Sequence, residues 1–243
     1  MRTALVTGAS GGIGQAIARE LAQRGWQVAL HYFQNQEAAQ ALEADIRRAG
    51  GAAKAYRADL REESQVEALF SQVEKDWGFV EGLVNNAGVA WKGLFTDMTL
   101  EEWHGVLDGD LTSVFLCCRR ALPPMIRRKR GSIVNVSSMW GQVGASCEAA
   151  YSAAKAGVIG LTKALAQEEG PSGIRVNCVA PGVIATEMNG HLSPADLEAL
   201  REETPLEIIG APEDVASLLV FLASDQAQFI TGQVIAPNGG IVI

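Results

Sequence analysis

The chain has 243 residues, 48% of them hydrophobic and 20% charged, with a formal net charge of −8. That is enough apolar chain for one full core, and its acidic balance excludes nucleic acid as the main partner, because neutralising phosphates requires a basic face. No apolar run reaches the roughly 18 residues that span a bilayer, so no membrane association is expected.

Thr3 to Thr7 reads as a buried strand, and Gln15 to Arg24 as an amphipathic helix. With a strand beginning at Thr3, no signal peptide is expected. Between strand and helix lies Thr7-Gly8-Ala9-Ser10-Gly11-Gly12-Ile13-Gly14. Glycines that end a strand and open a helix leave backbone N–H groups at the positive end of the helix dipole, where a pyrophosphate can sit. Gly8 lets the chain turn off the strand, Gly12 lets the backbone approach a phosphate, and Gly14 lets the helix pack on the sheet. The spacing is Gly-x-x-x-Gly-x-Gly, which differs from the Gly-x-Gly-x-x-Gly dinucleotide fingerprint.

Strand and helix then alternate with little between them. Gln27 to His31, Ala52 to Arg57 and Gly82 to Asn85 are predicted strands, and Gln36 to Ala49 and Glu62 to Trp77 predicted helices. The box Thr99-Leu100-Glu101-Glu102 starts more helix, continuing in pieces to about Arg128. Ser132 to Val136, the helix Ala150 to Gln167 and Arg175 to Ala180 repeat the rhythm, and Pro212 to Ala223 and Gln233 to Ala236 close it. Such alternation predicts a parallel sheet covered by helices on both faces, with ligands at the carboxyl ends of the strands. Cys117, Cys118, Cys147 and Cys178 form no Cys-x-x-Cys pair, so reduced thiols, a cytoplasmic location and no metal site are expected.

Several short segments fall at those strand ends. Asp59-Leu60 follows the third strand, Asn85-Asn86-Ala87-Gly88 ends the fourth, and Ser137-Ser138 follows the fifth. In the next helix Tyr151 and Lys155 stand one turn apart, which puts a phenol and an ammonium on one face.

These residues resemble the short-chain dehydrogenase/reductase family. The match rests on Thr7 to Gly14, Asn85 to Gly88, Ser138 with Tyr151 and Lys155, and Pro181-Gly182 followed by Thr186, and it runs over essentially the whole chain. The closing segments Phe221-Leu222-Ala223-Ser224-Asp225, Ile230-Thr231-Gly232-Gln233 and Asn238-Gly239-Gly240 resemble its 3-oxoacyl-(acyl-carrier-protein) reductase branch. The resemblance implies a single-domain α/β fold, a Rossmann-type doubly wound parallel sheet of about seven strands. It also implies ketone reduction with a nicotinamide dinucleotide, and a homotetramer or homodimer. Dinucleotide contacts are implied at Gly8, Ser10, Gly12, Ile13, Gly14, Asp59, Leu60, Asn86, Ala87, Gly88, Pro181, Gly182, Ile184 and Thr186. Tyr151 is implied as proton donor, Ser138 as the hydrogen-bond donor to the substrate carbonyl, and Lys155 as the residue on the nicotinamide ribose.

Bringing a phenol from a pKa near 10 to about 7 takes roughly 4 kcal/mol. An ammonium about 4 Å away supplies that much at an effective dielectric near 20, so Lys155 is expected to pull Tyr151 down. Asp110 stands where the family carries an asparagine that anchors a water beyond the lysine. Its charge would offset part of that pull and shift the pH optimum.

At the end of the second strand, His31-Tyr32-Phe33-Gln34-Asn35, no acidic residue is present to bond an adenosine ribose, which favours NADP(H) over NAD(H). No arginine or lysine lies between Val28 and Ala41 either, and Gly12 stands where many NADP-dependent relatives carry arginine. A 2′-phosphate is therefore expected on backbone N–H groups, Asn35, Ser10 or His31. Trp91, Met139, Trp140, Gln142 and a lid over residues 187–209, hinged at Gly190, are expected to frame the substrate. The run Arg127-Arg128-Lys129-Arg130 suits a helix C-terminus and could dock an acidic acyl carrier protein, although Ser172 stands where carrier-protein reductases often have a further basic residue. A 3-oxoacyl thioester is the leading substrate, with an alcohol or sugar dehydrogenase, or a dinucleotide-binding regulator without turnover, as alternatives.

Overall fold

A computed structural model of the chain describes residues 1–190 and 193–243. Seven strands, Thr3–Val6 (β1), Gln27–Tyr32 (β2), Ala52–Arg57 (β3), Gly82–Asn85 (β4), Gly131–Val136 (β5), Ile174–Val179 (β6) and Val234–Ile235 (β7), form one sheet in the order β3-β2-β1-β4-β5-β6-β7. Every neighbouring pair is parallel. The order reverses direction at β1 and β4, so their carboxyl ends open the crevice where a ligand fits in such sheets.

Helices cover both faces. Gly12–Gln23 (α1), Gln36–Arg48 (α2) and Pro212–Ala223 (α9) bury Ile17, Leu21, Leu42, Val215 and Leu219 against one face, with Val6 and Val134 from the sheet. Glu63–Trp77 (α3), Ser113–Arg128 (α5) and Ala149–Glu169 (α7) bury Phe70, Val73, Cys117, Met125 and Val158 against the other, with Leu5 and Leu83. Shorter helices are Leu100–Leu107 (α4), Trp140–Val143 (α6) and Pro194–Glu203 (α8). Side chains on β1 alternate between the two cores, as the twofold period of a strand buried on both faces requires.

Local signals set the helix starts. The Thr99 hydroxyl accepts from the Glu102 N–H and the Glu102 carboxylate reaches back to Thr99, and the same reciprocal box forms between Ser193 and Asp196. The helical stretch predicted to run to Arg128 is interrupted, because Asp108–Thr112 widens into a π turn between α4 and α5. Such turns recur at functional sites. The predicted lid is the short turn Glu187–Asn189 followed by α8; its residues His191 and Leu192 lie outside the described residues. Among the described residues, no helix is long and apolar enough to cross a membrane, and no His/Cys/Asp/Glu cluster could hold a metal ion.

Candidate active site

The glycine turn between β1 and α1 is fixed from two sides. Gly8 has φ +63°, and its N–H donates to His31 Nδ1 at 3.1 Å, while the Ala9 N–H donates to the His31 carbonyl at 2.9 Å. From β4, the Asn86 amide donates to the carbonyls of Thr7 and Gly8 at 3.0 and 3.2 Å, and the Thr7 hydroxyl accepts from the N–H groups of Asn86 and Ala87, both at 2.9 Å. The helix that follows is open at its start: its cap residue Gly11 makes no side-chain capping bond, and no acidic residue lies in the first turn. Orphan N–H groups at the positive end of a helix fit the pyrophosphate of a dinucleotide. Thr186 closes over this turn, since a Cβ built on Gly12 would lie 3.1 Å from Thr186 Cγ2.

Two expected phosphate ligands are occupied otherwise. His31 is buried, with Nδ1 accepting from Gly8 and Nε2 at 3.0 Å from the Ala58 carbonyl, so it carries its proton on Nε2 and braces the turn. Burial pushes its pKa down to about 4, which keeps it neutral at pH 7. The Asn35 side chain caps α2 by accepting from the Ala38 N–H at 3.1 Å. The Asn86 side chain likewise serves the turn's own carbonyls. Asp59 places its carboxylate on the Arg61 guanidinium, Nη2 to Oδ2 at 2.6 Å, so no free anion stands beside the nucleotide crevice there.

On the far side of the crevice, β5 delivers Ser138, and α7 carries Tyr151 and Lys155. Lys155 is buried, its Nζ 5.4 Å from the centre of the Tyr151 ring. The same ammonium donates to the Val136 carbonyl at 3.3 Å and pairs with Asp110 Oδ1 at 3.1 Å. Asp110 Oδ1 also accepts from the Val89 N–H at 3.1 Å, whereas Oδ2 is buried with no hydrogen-bond partner among the described residues. The π turn is what swings this carboxylate inward from the junction of α4 and α5. Gly88 makes the approach possible, for a Cβ there would lie 2.3 Å from Asp110 Oδ1.

The electrostatics differ from the sequence expectation. Burial is the largest influence on Tyr151 and raises its pKa; Lys155 lowers it, Asp110 raises it, and the Ser138 hydroxyl lowers it through a hydrogen bond to the phenol. Lys155 cannot dominate because its charge is shared with Asp110 and the Val136 carbonyl. Burial opposes the Lys155 ammonium, yet Asp110 and Tyr151 outweigh it and hold its pKa above the ordinary value. Burial raises Asp110, against the pull of Lys155. The phenol therefore keeps its proton at neutral pH, the state a proton donor needs.

Other expected residues fall around this centre. The Met139 N–H donates to the Pro181 carbonyl at 2.9 Å, tying the Ser138 segment to the 181–186 loop, and the Met139 side chain is buried. The Gly182 N–H donates to the Pro237 carbonyl at 3.1 Å. Ile184 is packed into the core, bridges to Gly210, and gives its carbonyl to the Asn189 amide at 2.8 Å. Leu60 is buried, Gln142 is exposed and Trp140 half-buried. Trp91 packs in the apolar cluster that includes Tyr151, Met98 and Trp103. Of the basic run, Arg130 pairs with Glu81, Arg128 stacks 4.4 Å from the Phe79 ring, and Lys129 ends α5 in the left-handed conformation.

Two sets of contacts escaped the sequence reading. The Ser137 hydroxyl donates to the Lys155 carbonyl at 2.8 Å and locks α7 to β5, and a buried amide chain runs from Asn85 to Asn135 to Thr162. Arg57 and Arg61 flank Phe33 with guanidinium carbons 5.9 and 5.5 Å from its ring centre, a contact between segments that no local sequence signal links.

Comparison with known proteins agrees with this geometry. A family model described as enoyl-(acyl carrier protein) reductase matches residues 8–242. The 3-oxoacyl-(acyl-carrier-protein) reductase FabG of Staphylococcus aureus is 43% identical over 240 residues, covering 99% of this chain and 98% of its own. The 3-oxoacyl-(acyl-carrier-protein) reductase of Synechocystis is 43% identical over 243 residues, covering 100% and 97%. Among solved structures, a putative gluconate dehydrogenase from Agrobacterium tumefaciens superposes with a TM-score of 0.96 at 32% identity, covering 100% of this chain and 97% of that one. The chain thus belongs to the short-chain dehydrogenase/reductase family, as an oxidoreductase of the 3-oxoacyl-(acyl-carrier-protein)-reductase-like branch working with a nicotinamide dinucleotide.

Proposed function

We propose that the protein is an NADP(H)-dependent reductase that converts the ketone of a 3-oxoacyl thioester to a secondary alcohol. The observation that carries this reading is the half-buried Tyr151 one helical turn before the buried Lys155, whose Nζ lies 5.4 Å from its ring centre, across the crevice from an uncapped glycine-turn helix. When bound, a reduced nicotinamide supplies the hydride. Ser138 donates a hydrogen bond to the carbonyl oxygen, and Tyr151 gives its proton as that oxygen gains charge. Lys155 steadies the phenolate that remains, and Asp110 holds Lys155 in place. Gly8, Ser10, Gly12, Ile13 and Gly14 line the pyrophosphate, and Leu60, Ala87, Gly88, Pro181, Gly182, Ile184 and Thr186 enclose the rest of the nucleotide.

Exposed apolar side chains on the segments around the site, Val143 after Ser138 and Leu206 and Ile208 before Gly210, suit an acyl chain. Residues 187–209 form the lid in this reading. The names of the Staphylococcus and Synechocystis relatives support an acyl-carrier-bound substrate and a place in fatty acid synthesis, and in this reading the acidic carrier docks on the basic end of α5. Ala153, Ala156, Gly160 and Ala164 are exposed along α7, a face smooth enough for a second α7 in a homodimer or homotetramer. Four free cysteines, three of them buried, suit the reducing cytoplasm.

The test is nucleotide oxidation at 340 nm with acetoacetyl thioester, with diketones and with no substrate, using NADPH and NADH. Turnover of the thioester that disappears in Tyr151→Phe supports the reading; nucleotide binding without turnover on any ketone defeats it. The gluconate dehydrogenase likeness supports a second reading, oxidation of a sugar acid. Gluconate turnover that exceeds thioester reduction would favour it.

A further inference from the structure

The nucleotide crevice lacks a basic residue on the segment that follows β2, yet a cation reaches it from the neighbouring strand. In the parallel register Tyr32 lies opposite Arg57, so the last residue of β3 stands at the same carboxyl edge as the end of β2. The Ala58 N–H donates to the Tyr32 carbonyl at 3.1 Å, and the Arg57 Nε donates to the Phe33 carbonyl at 3.1 Å. The Arg57 guanidinium also lies over the Phe33 ring, 5.9 Å from its centre. A guanidinium held by its Nε and by an aromatic plane keeps its orientation. Its two terminal nitrogens have no hydrogen-bond or ion-pair partner among the described residues.

The surrounding charges leave this cation uncompensated. Asp59, the nearest carboxylate on the chain that follows β3, is neutralised by Arg61, which sits on the same Phe33 ring. The end of β2 meets the glycine turn directly through His31, so Phe33 lies one step beyond the turn, and α2 begins just after it with its positive end capped by Asn35. In sheets of this kind the end of the second strand reads the adenosine ribose, and an arginine nearby accommodates a 2′-phosphate.

We propose that Arg57, seated on Phe33, is the specificity residue that holds a phosphate monoester on the adenosine 2′-oxygen, with Arg61 removing the repulsion of Asp59. This rests on the NADP(H) reading above and deepens it. The phosphate, carrying nearly two negative charges, meets the two terminal nitrogens in a forked bond.

The experiment is calorimetric titration of the full chain with NADPH, NADH, adenosine 2′,5′-bisphosphate and 5′-AMP. The wild type is expected to bind the two phosphorylated probes more tightly than their partners. In Arg57→Gln, NADPH and the bisphosphate are expected to weaken about 10-fold or more, the size of a lost bond to a charged group, while NADH and 5′-AMP stay within about twofold. Phe33→Ala is expected to lose part of the same preference, because the guanidinium loses its seat. Wild type without preference overturns the NADP(H) reading and this assignment together. Wild-type preference that survives in Arg57→Gln, or equal weakening of all four probes there, overturns the assignment of Arg57 alone.

Discussion

Asp110 and Lys155 are joined at 3.1 Å with side chains 0% and 5% exposed, so the ammonium nearest the reacting phenol is half-committed to a carboxylate before any substrate arrives. The carboxylate raises the Tyr151 pKa while the lysine lowers it. Asparagine at this position keeps an oxygen for the Val89 N–H and for Lys155 but removes the charge. The Tyr151 pKa then falls, and because reduction needs the protonated phenol, the alkaline limb of the reduction profile is expected to move to lower pH in Asp110→Asn. Overlapping kcat profiles of variant and wild type would mean that Asp110 exerts no electrostatic effect on the phenol. Asp110→Ala leaves a buried ammonium unpaired and is expected to cost about 3–5 kcal/mol in urea denaturation.

The same pair makes Gly88 intolerant of a methyl group. A Cβ there meets Asp110 Oδ1 at 2.3 Å and Lys155 Nζ at 3.2 Å, whereas a Cβ on Gly105 in α4 meets nothing within 4 Å. Gly88→Ala is expected to lose about 1–3 kcal/mol of stability and to reduce kcat by displacing Lys155. Gly105→Ala is expected to gain up to about 1 kcal/mol, the helix propensity of alanine over glycine. Equal melting curves for the two variants would contradict the close approach.

The order of strands and helices was legible in the sequence because it rests on local signals: the twofold and 3.6-residue apolar periods, the Thr99–Glu102 box, and the glycines after β1. So was the pairing of Tyr151 with Lys155, one helical turn apart. What sequence spacing could not give was which side of a turn a polar side chain serves. His31, Asn35 and Asn86 have the chemistry to touch a nucleotide, yet each is spent on backbone groups that only the folded chain brings near. Arg57 was hidden for the converse reason, since its neighbour Phe33 follows the adjacent strand and is distant in sequence. The inward turn of Asp110 depends on an extra residue in one helical turn, which no local propensity announces.

Ser138 separates binding from chemistry. It is buried, its oxygen accepts from the Trp140 N–H at 3.2 Å, and its hydroxyl lowers the Tyr151 pKa. Loss of one donor to a developing oxyanion costs about 10²–10³ in kcat. Ser138→Ala is therefore expected to fall by that factor with the dissociation constant for NADPH unchanged in fluorescence titration. A variant that retains full kcat would remove Ser138 from the proposed donor pair.

His31 ties the stability of the glycine turn to pH. Its Nδ1 accepts from the Gly8 N–H, so protonation there would set two N–H groups against each other inside the core. Burial depresses its pKa from 6.5 in the unfolded chain to about 4 in the fold. Below pH 6.5 the unfolded state takes up a proton that the folded state refuses, so this contribution is fully present above about pH 6.5 and is lost as pH falls through 4. The difference corresponds to roughly 3 kcal/mol. Asparagine keeps an acceptor for Gly8 without titrating. Urea denaturation at pH 7 and pH 4.5 is expected to give a smaller loss for His31→Asn than for wild type, and an equal loss in both proteins would place the acid sensitivity elsewhere in the chain.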